Sequence, residues 1–184
     1  MIRCKWCNLK NEKYIEYHDK EWCKPNFDDK YLFEMLILES FQAGLSWECV
    51  LNKREDFRKA FDNFDVEKIC NYNDEKVQEL LKNEKIIRNK LKINATINNS
   101  KIFKKIQNEY STFHNYLKTF TNDVIIYEID KTTNQLSDDL SKDLQKRGMK
   151  FVGSTIIYSY LQAIGIIYSH DKECFMYKQE LNFI

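Results

Sequence analysis

The stretch from Tyr31 to Trp47, YLFEMLILESFQAGLSW, places a carboxylate where burial is expected. Leu32, Met35, Leu36 and Ala43 recur at helical spacing, and Glu39 falls on the same stripe. Burying an unpaired carboxylate costs several kcal/mol or more, so Glu39 needs a cationic partner, hydrogen-bond donors or a chemical task. The plainer reading is a core glutamate paired with a lysine or arginine. Gly44 suits a left-handed helix end and Ser46 can cap the next helix, which leaves Leu45 and Trp47 at a helix–helix corner. That corner offers a carboxylate, an exposed apolar finger and an indole.

A second set of residues has metal chemistry. His170 and Cys174, in HDKEC, are four apart, and on a helix they would share a face; Cys4 and His18 supply one residue of each type near the other end of the chain. Two cysteines and two histidines make a closed tetrahedral zinc set. Four protein ligands leave no position for water, so such a metal is structural rather than hydrolytic. Cys7 and Cys23 are rival ligands. Tyr14, Tyr17 and His18 stand at i, i+3 and i+4, so a short helix would aim all three to one side.

The elements that must position these groups are read as mostly helical. One proline and four glycines among 184 residues leave few tight turns for a sheet protein, while 43% hydrophobic and 14% aromatic residues exclude a disordered chain. Asp28 or Asp29 is expected to cap the helix that ends at Gly44, followed by a helix from Ser46 to about Phe61, a short one capped by Asp65, and DEKVQELLK capped by Asn73. A long helix to about Tyr110 and a shorter one over Phe113 to Thr121 come next. DVIIYEI, from Asp123 to Ile129, is a short extended piece or loop. Ser137 is expected to cap a helix closing on Gly148, and the last helix runs from about Ser154 to Ala163 and stops at Gly165. No repeat or linker divides the chain, so we expect a single unit of two lobes over 1–184: a terminal lobe of 1–30 plus 150–184, and a helical lobe of 31–149 with a hairpin near 81–92.

Net charge is +1, but its distribution is uneven. Lys82, Lys85, Arg88, Lys90, Lys92, Lys101, Lys104 and Lys105 are opposed only by Glu84 within their stretch. Such a run is either a solvated helix face or a track for phosphates. The N-terminus, MIRCKWCN, has no apolar export core, and no stretch approaches membrane-spanning length. Six cysteines then read as reduced thiols, and the expected location is cytoplasmic, with no membrane partner.

LESFQAGLSWECVLNKRE, the opening RCKW, YIEYHDKEW and the late RGMKFVGSTIIYSYLQAIG, in this order, resemble the type I 3-methyladenine DNA glycosylases, within the helix-hairpin-helix glycosylase superfamily. The likeness covers nearly the whole chain. It implies an all-α, helix-hairpin-helix glycosylase-like bundle in which Cys4, His18, His170 and Cys174 hold one structural zinc and clip the terminal lobe. It implies a partner, alkylated duplex DNA, and a product, free 3-methyladenine, released by a monofunctional, monomeric enzyme without strand cleavage. A stacked base must be rotated out before its glycosidic bond is reached, and Leu45 on the Gly44–Leu45 corner would fill the gap. Trp47, with Trp6, Tyr14 and Trp22, would wall the extruded base. Methylation leaves adenine cationic, so aromatic faces and a carboxylate favour it over an undamaged base, with Glu39 and Tyr17 bonding its edge.

The resemblance also has departures. The hairpin of relatives often carries glycine where this chain has Lys85 and Leu91, so we expect the turn to form with Asn83 left-handed, with Lys85, Arg88 and Lys90 supplying charge for the DNA backbone. The family lacks the water-activating aspartate placed after the hairpin in many related glycosylases, and Asp138 and Asp139 read as first-turn residues of a helix. The competing function is a zinc-stabilised helical DNA-binding module that has lost excision; a more distant one is a helical interaction protein without a nucleic-acid role.

Overall fold

The computed structural model describes residues 1–178. Its organising element is α2 (Asp29–Gln42), which Asp28 caps by accepting from the amides of Lys30 and Tyr31. Every residue of α2 from Leu32 to Phe41 is buried, so the helix has no solvent stripe and Glu39 does not lie on one apolar face among polar ones. A helix apolar on all sides belongs at the centre of a bundle. Its neighbours are α3 (Trp47–Asn52), α7 (Lys90–Tyr110), α8 (Phe113–Thr121) and α10 (Ser154–Ala163).

The remaining helices are α1 (Glu12–Lys20), α4 (Arg54–Ala60), α5 (Val66–Cys70), α6 (Asp74–Lys82) and α9 (Gln135–Lys146), with a 3-10 turn at Asp62–Phe64. The helix expected from Ser46 to Phe61 is divided at Lys53, whose ψ of 0° opens the ladder between α3 and α4. Asn73 and Asp65 cap as expected. Ser137 does not: Asn134 is the cap, accepting from the Ser137 amide, and the Ser137 hydroxyl accepts from the Asn134 amide to complete a reciprocal capping box.

Two pieces of the chain pair at long range. Within DVIIYEI, β1 (Ile126–Tyr127) lies parallel to β2 (Ile167–Tyr168). Close by, the backbone of residues 22–26 crosses the end of α10: the Cys23 amide donates to the Gln162 carbonyl and the Asn26 amide to Ile164. Gly165 is required there. Its φ is +80°, and a Cβ would stand 2.3 Å from the carbonyl carbon of Lys24. The N-terminal segment is thus pressed against the C-terminal third. One connected buried cluster runs through both, from Cys4 to Cys174.

The hairpin between α6 and α7 departs from expectation. Asn83 is extended (φ −78°, ψ 104°) rather than left-handed, and its side chain accepts from the Lys85 amide to shape the turn. No residue from 83 to 89 has a positive φ, so the glycine-free sequence carries no backbone strain here.

Candidate active site and metal-ligand cluster

α1, α2, α3 and α10 meet around a cavity of about 310 Å³ lined by Trp6, Tyr14, Tyr17, Trp22, Glu39 and Trp47, all six residues expected from the sequence. Tyr14 and Tyr17 point inward from α1, one turn apart. Trp6 stands edge-on to Trp22 with ring centroids 4.6 Å apart, and Tyr17 lies 5.2 Å from Trp47.

Glu39 comes from the last turn of α2 and is only 3% exposed. Among the described residues its Oε2 has no hydrogen-bond partner, and neither does Nε1 of Trp47. An acceptor and a donor therefore face one cavity unpaired, although buried polar groups are nearly always satisfied. Burial pushes the Glu39 carboxyl up to about 8. Burial, then the neighbouring Glu39, holds the Tyr17 phenol well above its ordinary range, so it remains a hydroxyl donor. Burial and Glu48 do the same for Tyr14, at about 12.

Among the described residues no arginine pairs with Glu39. The buried Arg54 instead donates from Nε to Glu34 at 2.6 Å and from Nη1 to Glu21 at 2.8 Å, and Arg58 also reaches Glu34. The expected core ion pair exists, but on a different carboxylate of the same helix.

The rest of the lining was not anticipated. It comprises Gln42, Asp130, Ser159, Gln162, Ser169, Asp171 and Lys131, whose ammonium is paired with Glu128. Gln42 lies one helical turn past Glu39 and was legible from that spacing. Ser159 and Gln162 on α10 reach the cavity only through tertiary packing, which no local pattern reveals.

At the mouth of the α2–α3 corner, Gly44 has φ +76° with no atom near its missing Cβ, and Leu45 is 42% exposed. Leu45 is therefore not interhelical packing. On the hairpin side Lys85, Arg88 and Lys90 are exposed, Arg88 with Glu84 at 3.4 Å. Two members of the basic run are otherwise engaged: Lys104 pairs with Glu67, and Lys92 is buried with its ammonium on backbone carbonyls.

Behind Trp6 and Trp22, the ligand atoms of Cys4, His18, His170 and Cys174 lie within 4.8 Å of one another, and all four residues are buried. HDKEC forms a turn, not a helix, closed by the Cys174 amide on the Asp171 carbonyl. The turn brings Cys174 Sγ to 3.5 Å from Nδ1 of His170. The rivals are occupied elsewhere: Cys7 faces the Tyr14 carbonyl and Cys23 accepts from the Ser169 amide. Asp19, held by Arg3, takes Nδ1 of His18 at 2.7 Å, which leaves Nε2 3.4 Å from Sγ of Cys174. Backbone amides of Asp171 and Met176 point at the two thiols, as suits thiolates. This donor set can hold a metal ion and ties the two ends of the chain together.

A helical bundle with an unpartnered carboxyl oxygen and an indole donor lining an aromatic cavity has the walls and polar groups to take a flat, polarised ring. The chain belongs to the methyladenine glycosylase family, whose model matches residues 6–177. It is 41% identical to DNA-3-methyladenine glycosylase 1 of Escherichia coli (strain K12), over 96% of this chain and 97% of that one. It is 38% identical to the DNA-3-methyladenine glycosylase of Haemophilus influenzae, over 94% and 96%. Among solved structures, a 3-methyladenine DNA glycosylase I superposes with a TM-score of 0.92 at 39% identity, over 96% of this chain and 100% of that one. One solved in complex with 3-methyladenine gives 0.89 at 32% identity, over 95% and 96%.

Proposed function

We infer that this chain removes 3-methyladenine from DNA by hydrolysing the N-glycosidic bond, the opening step of base excision repair. The observation that carries the reading is the buried Glu39 carboxyl, one oxygen of which has no partner among the described residues and which lines an aromatic cavity. A neutral base gains little from it, whereas a methylated, cationic adenine supplies the missing positive charge and sits among ring faces that favour cations. Tyr17 and Trp47 carry donors for the ring's edge, and Trp6, Tyr14 and Trp22 complete the walls. Leu45, at the Gly44 turn, takes the place of the extruded nucleotide in the stack, and Lys85, Arg88 and Lys90 line the approach of the DNA backbone.

The chemistry asked of the protein is small. When the C–N bond breaks its electron pair neutralises the base, so the leaving group needs no protonation; water adds to the sugar and loses a proton. No lysine nucleophile is required, so the enzyme is monofunctional and leaves an abasic site. Incubation with methylated duplex DNA tests this: release of 3-methyladenine without strand cleavage is expected. Binding to that DNA without base release would favour a non-catalytic DNA-binding module.

For the cluster we propose zinc, since two thiolates and two imidazoles in a closed set fit its tetrahedral preference. Cys4, His18, His170 and Cys174 would hold it, and it would brace the wall bearing Trp6 and Trp22 without entering the reaction. Strong chelation should then extract close to one zinc per chain and lower the melting temperature. A metal-free chain of undiminished stability would remove the assignment. The free cysteines suit a cytoplasmic monomer working on DNA.

A further inference from the structure

The Lys92 ammonium is buried against the backbone at the end of α2. Its Nζ donates to the carbonyls of Phe41 at 2.8 Å and Ala43 at 2.6 Å. Both belong to the C-terminal turn of α2, where carbonyls lack helical partners and cations are favoured. The second bond matters more. Ala43 has φ −46° and ψ 113°, Gly44 has φ +76°, and the Leu45 amide donates to the Gln42 carbonyl at 2.6 Å. These are the angles of a type II turn with glycine at its third position. Types I and II differ by a flip of the central peptide, here Ala43–Gly44, and a flip would swing the Ala43 carbonyl off the ammonium. Lys92 thus selects one of two turn states, and that turn aims Leu45.

Lys92 also stands in the first turn of α7, directly after the hairpin, where its own amide donates to the Asn89 cap. One side chain therefore joins the hairpin to the Gly44–Leu45 corner, 49 residues away in sequence from Ala43. We propose that Lys92 is a positioning residue for base extrusion: it locks the Ala43–Gly44 peptide so that Leu45 is presented in register with the phosphate-facing hairpin. The proposal rests on the reading of Leu45 as the residue that fills the gap in the stack.

The test is a double-mutant cycle of Lys92→Met and Leu45→Ala in single-turnover excision from methylated duplex DNA. Affinity for free 3-methyladenine, read by tryptophan fluorescence, serves as the control for an intact pocket. Each single variant should slow excision about tenfold or more, since small misplacements of positioning groups have effects of that size. The double variant should be no slower than the slower single one, and free-base affinity should stay within about twofold throughout. Lys92→Met at the wild-type rate, with Leu45→Ala slow, overturns the latch alone, as do independent multiplying effects. Loss of free-base affinity in Lys92→Met also overturns it, because the residue then serves the pocket. A wild-type rate in Leu45→Ala overturns the reading of Leu45, and the latch with it. If Lys92→Met fails to melt cooperatively, Lys92→Gln replaces it in the same cycle and should slow excision with no further loss in the double variant; multiplying effects overturn the latch.

Discussion

Glu34 and Glu39 sit five residues apart on one buried helix, both nearly free of solvent, and their surroundings are opposite. Glu34 is met by Arg54 and Arg58 and closes a network that extends to Glu21. Glu39 meets aromatic rings and a cavity, with one oxygen left without a partner. The first carboxylate is held by the fold; the second, on the function proposed above, is kept for a ligand. Five residues along a helix are about 140° of rotation, so one helix can serve both purposes on different sides.

The comparison can be broken most forcefully on the Glu34 side. Arg54→Met leaves two carboxylates short of a cation and should cost about 3–5 kcal/mol of stability, measured by denaturant unfolding. Base affinity per folded molecule should be unchanged. A loss of affinity with little loss of stability would mean that the roles of the two sites have been exchanged.

Glu39→Gln should do the reverse. The raised carboxyl value, about 8 against an ordinary 4.5, means that ionisation opposes folding: stability is fully present below about 4.5 and is lost as pH rises through 8. The amide removes that loss. The variant should match wild type near pH 4.5 and exceed it above pH 8 by on the order of 5 kcal/mol, while excising 3-methyladenine more slowly. A variant less stable than wild type at pH 9 would show that Glu39 has an internal partner.

Trp47→Phe sharpens the comparison most finely. It removes only the unpartnered indole N–H and part of the ring, so stability should change by less than about 1.5 kcal/mol. Base affinity should fall by about 1 kcal/mol if that N–H bonds the ligand. Equal affinity would assign Trp47 to stacking alone.

Much of this arrangement was legible in the residues. Asp28, Gly44 and Ser46 are local punctuation, and the structure uses all three where the sequence puts them. The Cys4, His18, His170 and Cys174 set was legible through the family resemblance, since residue type alone left Cys7 and Cys23 as rivals, and the helix expected for HDKEC is a turn that brings the same atoms together. What could not be read depends on distant chain. Ser159 and Gln162 are ordinary polar residues of α10 until packing turns them to the cavity, and the β1–β2 pairing joins segments some forty residues apart. Lys92 counted as one more surface cation because its charge is plain in the sequence and its burial is not. Asn134 displaced Ser137 as a cap because both residue types suit the position and only the chain path decides between them.

The most direct test follows the Glu39 carboxyl itself through a pH titration by carbon NMR, with and without saturating 3-methyladenine. In the free protein it should titrate near 8, and the bound base should move that midpoint to lower pH by stabilising the anion. A midpoint at the ordinary glutamate value in the free protein, or one that the base leaves in place, would contradict the claim that this carboxylate is kept unpaired for the damaged base.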